Sequence, residues 1–200
     1  MMRTLTCLIV ALGIVPGVAL AQGEDAAESE AYELFAAAFT EFCELDSGSA
    51  AADYYPPESW ELSWETGYSD EPETATLYRF FCGAGAYNVN QMYYIETDYG
   101  GPQPVSFASP HFEVVYENDD FEGAVLDIPV TGYDSQLILT NSEFDPDTGT
   151  ITSHGLWRGI GDAFSGGTWQ FAEGQFVLKR FEVDAQYDGE ARPKTLVRFD

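Results

Sequence analysis

Arg158 and Asp162 stand four residues apart in a stretch, Ser153 to Trp169, that also holds five glycines and two tryptophans. A guanidinium and a carboxylate at that spacing have two uses. They can close a salt bridge or an Asp-capped turn where the chain reverses, or they can form a polar pair in an aromatic-lined groove that binds a ligand. Trp157, Arg158, Asp162 and Trp169 are therefore the candidate binding residues. Glu143, Asp145 and Asp147 are the candidate metal ligands, because Asp145 and Asp147 occupy the first and third places of a Ca²⁺ loop. The twelfth place holds Leu156 where an EF-hand needs a bidentate Glu, and a plain hairpin turn accounts for the same residues. Apart from Ca²⁺ no cofactor is implied.

Other chemistries fall away on spacing. His111 and His154 form no zinc pattern. Gly159-Ile160-Gly161 would need its third glycine at Phe164 to cradle a phosphate. Ser165 sits in Ala163-Phe164-Ser165-Gly166-Gly167, but the Thr-Trp-Gln-Phe strand that follows is not the helix of a nucleophile elbow. With 34 acidic residues in the chain, accidental neighbours hide any carboxylate pair suited to glycan hydrolysis. No catalytic residue is assigned.

These residues need a scaffold, and its composition is acidic. The 200 residues carry a formal charge of −26, one unit more negative without Arg3. Such a surface repels nucleic acid and anionic headgroups; it suits either solubility or attraction to a cation or basic protein. Met1 to Ala21 reads as a secretory signal peptide, with an apolar run from Leu8 to Val15 and Ala19-Leu20-Ala21 before Gln22. The run is too short to span a bilayer. The expected product is a single periplasmic or secreted domain over residues 22–200, monomeric and without a membrane span. Of the cysteines, Cys43 and Cys82 lie beyond the leader, and in an oxidising compartment they are expected to pair.

Periodicity predicts one helix, Glu28 to Leu45, with Tyr32, Phe35, Phe39 and Phe42 on one face. Trp60, Leu62 and Trp64 alternate as on a strand. Ala75 to Cys82, Val89 to Asp98, Leu137 to Phe144, Thr150 to Trp157, Thr168 to Phe171, Gln175 to Val183 and Thr195 to Phe199 read as further strands. Val105 to Ala108, Phe112 to Tyr116 and Val125 to Ile128 are short ones. Tyr99-Gly100-Gly101-Pro102 reads as a turn, and Asp145-Pro146-Asp147-Thr148-Gly149 as a hairpin loop. Short turns imply antiparallel neighbours, so the fold expected is mainly β, an antiparallel sandwich or partly closed barrel with one N-terminal helix.

The run Asn141, Phe144, Asp145, Thr148 and Gly149, then Arg158-Gly159-Ile160-Gly161-Asp162 and a tryptophan strand, resembles an uncharacterised family of exported proteobacterial proteins, domain of unknown function 1176. Cys82-Gly83-Ala84-Gly85-Ala86-Tyr87-Asn88 is similar to another segment of it, and the likeness covers roughly Leu77 to Phe199. Where that pattern has a cysteine after its glycine-aspartate run and another in the next loop, this chain has Ala163 and no cysteine near Asp184 to Asp188. The resemblance implies a periplasmic β-rich protein and supplies no activity. The reading that follows is a non-enzymatic envelope domain that binds a ligand or an envelope protein. The alternatives are an inhibitor or sequestering partner of a cationic protein such as a lysozyme-like enzyme, and a glycan hydrolase.

Overall fold

The computed structural model describes residue 26, residues 29–43 and residues 53–200. The expected leader, most of the lead-in after it and the link at 47–52 lie outside the described residues.

Helix α1 (Glu30–Phe39) starts where Ser29 Oγ accepts a hydrogen bond from the Tyr32 backbone N–H at 3.1 Å, with Glu30 and Glu33 in the first turn favouring the positive end of the dipole. It is shorter than its periodicity predicts. The chain leaves the helix after Phe39, and Phe42, expected on the packed face, is exposed.

The first sheet runs β1 (Glu58–Trp64), β2 (Glu73–Ala84), β3 (Val89–Thr97) and β4 (Gly100–Pro104), with β9 (Ile138–Thr140) added beside β3; every pairing is antiparallel. Because alternate residues of β2 and β3 face opposite ways, the sheet is buried on both faces. Phe80, Met92, Tyr78 and Tyr94 turn toward α1, where Phe35 stacks on Phe80 at 4.9 Å. Cys43 and Cys82 are joined by a disulfide that ties the segment after α1 to β2, as expected. Leu77, Tyr93 and Ile95 turn the other way, into the main core.

The second sheet, β10 (Glu143–Asp145), β11 (Thr150–Leu156), β12 (Phe164–Ala172), β13 (Gln175–Asp184) and β14 (Lys194–Arg198), is an antiparallel meander. It supplies Phe144, Ile151, Trp169, Phe176, Leu178 and Phe181 to the same core, which makes the fold sandwich-like. Two small ribbons complete it: β5 (Phe107–Phe112) with β8 (Val130–Gln136), and β6 (Val115–Tyr116) with β7 (Val125–Asp127). Among the described residues no sheet closes into a barrel, and no helix is long and apolar enough to cross a membrane.

Three sequence readings need correction. Leu137 to Phe144 is not one strand: β9 belongs to the first sheet and β10 to the second, and Asn141, at φ 44°, turns the chain between them. Tyr99 to Pro102 is not simply a turn, since Gly100–Pro104 pairs with β3 at the sheet's edge, where a proline is tolerated. Pro110 lies inside β5, opposite Tyr133, in a strand that pairs only with β8.

Candidate functional site

The connection from β11 to β12 brings Trp157, Arg158 and Asp162 together. Arg158 Nε donates to Asp162 Oδ1 at 2.6 Å and a terminal nitrogen donates to Oδ2, so the pair is two-pronged. Asp162 Oδ2 also accepts the Gly189 backbone N–H at 2.7 Å. The Arg158 bond, supported by Gly189, holds the Asp162 carboxyl well below the usual carboxylate range, and Asp162 in turn raises Arg158. The guanidinium carbon lies 5.1 Å from the Tyr187 ring centre. Trp157 lies parallel to Phe112 and donates through Nε1 to Ser165 Oγ at 3.3 Å.

Trp169 belongs to the interior instead. It is fully buried, packs edge-on against Phe107 at 5.3 Å, and donates its indole N–H to Ala108 O at 2.8 Å. Trp157 and Arg158 thus meet at Tyr187, and Asp162 joins them through Arg158, its buried carboxylate occupied by internal donors. Its bond to Gly189 pins the loop after β13 to the β11–β12 connection.

The acidic candidates make a turn. Asp145 Oδ1 accepts from the Asp147 N–H at 2.9 Å and Oδ2 from Thr148 Oγ1 at 2.8 Å, and these bonds, Thr148 first, lower the Asp145 pKa. Glu143 is on the exposed side of β10. Among the described residues no three His, Cys, Asp or Glu side chains gather as a metal site.

A different set of residues builds a groove. The alternation of β2 that turns Tyr78 and Phe80 toward the helix sends Arg79 toward the second sheet, where a lone cation must be paired. Arg79 forms an ion pair with Glu58 on β1, donates through Nη1 to Ser142 O at 2.9 Å, and lies 5.5 Å above the Trp60 ring. Behind it, Tyr93 Oη and Ser142 Oγ are 3.0 Å apart, and Gln91 Oε1 accepts from both Ser142 N (2.9 Å) and Ser142 Oγ (2.7 Å). Burial pushes the Tyr93 phenol up, against the opposing effects of Arg79 and Ser142, so Tyr93 is neutral and able to donate. Gln91 is 5% exposed, yet its NH₂ has no partner among the described residues and it lines the groove floor. Glu58, Arg79, Gln91, Ser142 and Glu143 with Tyr55 and Trp60 bound about 490 Å³.

A second hollow of about 680 Å³, flanked by Tyr54 and Tyr87, shares Tyr55, Val89 and Asn141 as a common wall. That wall is where the motifs carrying the resemblance meet. Asn141 Nδ2 donates to Asn88 Oδ1 and His154 O, both at 2.9 Å, while its Oδ1 accepts the Val89 N–H at 2.8 Å. Asn88 bonds the backbone of Leu156 in both directions, and Tyr87 Oη donates to Trp157 O at 3.2 Å.

Of the residues named in this groove, Glu143 was a candidate from sequence, as a metal ligand; Glu58, Arg79, Gln91 and Ser142 were not. Arg79 carried the available signal: it is the sole Lys or Arg between Arg3 and Arg158, set in an apolar strand, where a charge must find a partner or a purpose.

The family model described as "Protein of unknown function (DUF1176)" matches residues 70–194. The match includes Arg79, Gln91, Asn141 and Ser142; Tyr54, Tyr55, Glu58 and Trp60 lie before it. No curated protein and no solved structure matches the chain.

Proposed function

The chain belongs to this DUF1176 family of uncharacterised proteins, and on that premise we propose that it is a non-enzymatic ligand-binding domain of the cell envelope, with the Arg79–Gln91–Ser142 groove as its site. One observation carries this reading: Gln91 is 5% exposed as a residue, holds two donors on its amide oxygen, and turns an NH₂ with no partner among the described residues into the groove. An unpaired amide that opens into a groove is a donor available to a bound acceptor. The signal-peptide pattern of Met1 to Ala21 and the Cys43–Cys82 bond support export as one domain over residues 22–200.

Backbone-amide NMR of the full oxidised chain tests the site, using a panel of sugars, amino acids, polyamines and nucleotides. Shifts centred on Gln91, Ser142 and Tyr55 are expected. Shifts gathered at Trp157 to Asp162, or none at the groove with any compound, would overturn it.

A second reading, capture of a cationic protein, is favoured by the way the basic groups are used. Arg79, Arg158, Arg180, Arg192 and Lys194 are each closed on a carboxylate, which leaves the excess acid facing outward. Binding of a lysozyme that weakens steeply as salt is raised would support it. Equal binding at high salt, or none, would sink it.

A further inference from the structure

The groove's chemistry narrows the ligand, granted that it is the binding site. Its one cation, Arg79, is spent on Glu58, Ser142 O and the Trp60 face, so no free positive charge waits for a phosphate or carboxylate. The formal charge of −26 disfavours anions further, which removes nucleotides and nucleic acid despite the exposed rings. What remains along the groove is a mixture of donor and acceptor: the Gln91 NH₂, the Glu58 carboxylate shared with Arg79, and Glu143 on the exposed side of β10. A hydroxyl donates and accepts at once and satisfies such a mixture without bringing charge.

The walls add flat apolar surface. Tyr55 stands parallel to Phe81 at 5.9 Å, which fixes its ring, and lies on the boundary between the two hollows. Tyr54 is 80% exposed and Tyr87 is half-exposed in the second hollow, so three tyrosine faces border one continuous path. Each hollow alone is within the range of about 300 to 1,000 Å³ that holds a small ligand. Two in succession with aromatic rings along them suit a chain of linked units, each having a polar rim and an apolar face.

We propose that the paired hollows bind a neutral oligosaccharide, its hydroxyls at Gln91, Glu58 and Glu143 and its ring faces against Tyr55, Tyr54 and Tyr87. Titration calorimetry with the full oxidised chain would use cellohexaose, maltohexaose and chitohexaose, with glucose, N-acetylglucosamine, spermine and inorganic phosphate as the comparison arms. At least one hexasaccharide should bind about tenfold or more tighter than its monosaccharide. Tyr54→Ala, at an exposed ring, should weaken that binding about tenfold while leaving the melting temperature unchanged. Gln91→Glu, which keeps the acceptor and removes the donor, should abolish it.

The sugar assignment fails if spermine or phosphate binds the groove while every hexasaccharide is silent; the groove then remains a binding site for another class. It also fails if hexasaccharide and monosaccharide bind equally, or if Tyr54→Ala changes nothing. Silence of all the probes at the groove residues by NMR would overturn both the ligand class and the site.

Discussion

Gly167→Ala puts one methyl group where the structure has no room. A Cβ built on Gly167 comes within 2.7 Å of Trp169 Cζ2 and Cζ3 and nearer still to Cη2. The two residues are two apart on β12, and the indole of Trp169 lies back across the bare backbone at Gly167. The ring cannot step aside freely, because it is fully buried, packed on Phe107, and bonded through its N–H to Ala108 O. Overpacking costs about 1 to 3 kcal/mol, and losing the indole bond in a buried setting costs about 1 to 3 kcal/mol. The expected loss is about 2 to 6 kcal/mol, against a whole-domain stability of about 5 to 15 kcal/mol. Denaturant unfolding of the oxidised protein measures it, with Gly132→Ala as control, since a Cβ there meets nothing within 4 Å. If the ring is the obstacle, Trp169→Phe should relieve part of the cost in a double-mutant cycle. A Gly167→Ala protein within about 0.5 kcal/mol of the parent, the ordinary range for a harmless substitution, would refute the reasoning.

Cys43 and Cys82 are 39 residues apart, so replacing both by Ser should destabilise by about 4 kcal/mol in the chain-entropy treatment, read from unfolding curves; no change would mean that α1 docks without the tether. Because the folded-state pKa of Asp162 is lowered, its contribution is present above about pH 4 and lost as the pH falls through the lowered value. Asp162→Asn should therefore melt below the parent at neutral pH, with the gap closing in strong acid, and a gap independent of pH would contradict this. Tyr78 donates to Glu96 Oε2 at 2.9 Å, and burial first, then Glu96, pushes its phenol up to about 12. Since the ordinary value is about 10, the stability it contributes is whole below that pH and disappears as the pH rises toward 12. Tyr78→Phe should flatten the alkaline loss, and an unchanged profile would count against it.

The parts of the fold that were legible are those where burial writes a period into the chain. Phe176 with Leu178, and Phe181 with Val183, carry an inward face that alternation reveals, and the turns between the strands have their own residue chemistry. β8 escaped notice because Val130–Gln136 is largely exposed and held by backbone bonds to β5, which leave no mark on side-chain pattern. The break at Asn141 is hidden inside a run whose two halves each bury one apolar residue, Leu139 and Phe144, in different sheets; the tolerance of Asn for positive φ hints at it. The ion pair of Arg158 with Asp162 was visible because its partners are four residues apart. The groove was not, since Glu58, Arg79, Gln91 and Ser142 come from three strands and a corner, and what unites them is the register of β1 to β3.

The corner at Asn141 also bears on the order in which the chain becomes competent to fold as it is made. Residues Asn90 to Met92 of β3 lie in the middle of the first sheet only because β9 pairs with them. A polypeptide that ends before Ile138 presents those residues as an open edge, ready to recruit a strand from another molecule. The Val89 and Asn88 groups that Asn141 and Leu156 satisfy would wait for segments more than fifty positions downstream. Closing the first sheet therefore depends on residues 138–156, which follow all of β1 to β4 in the chain.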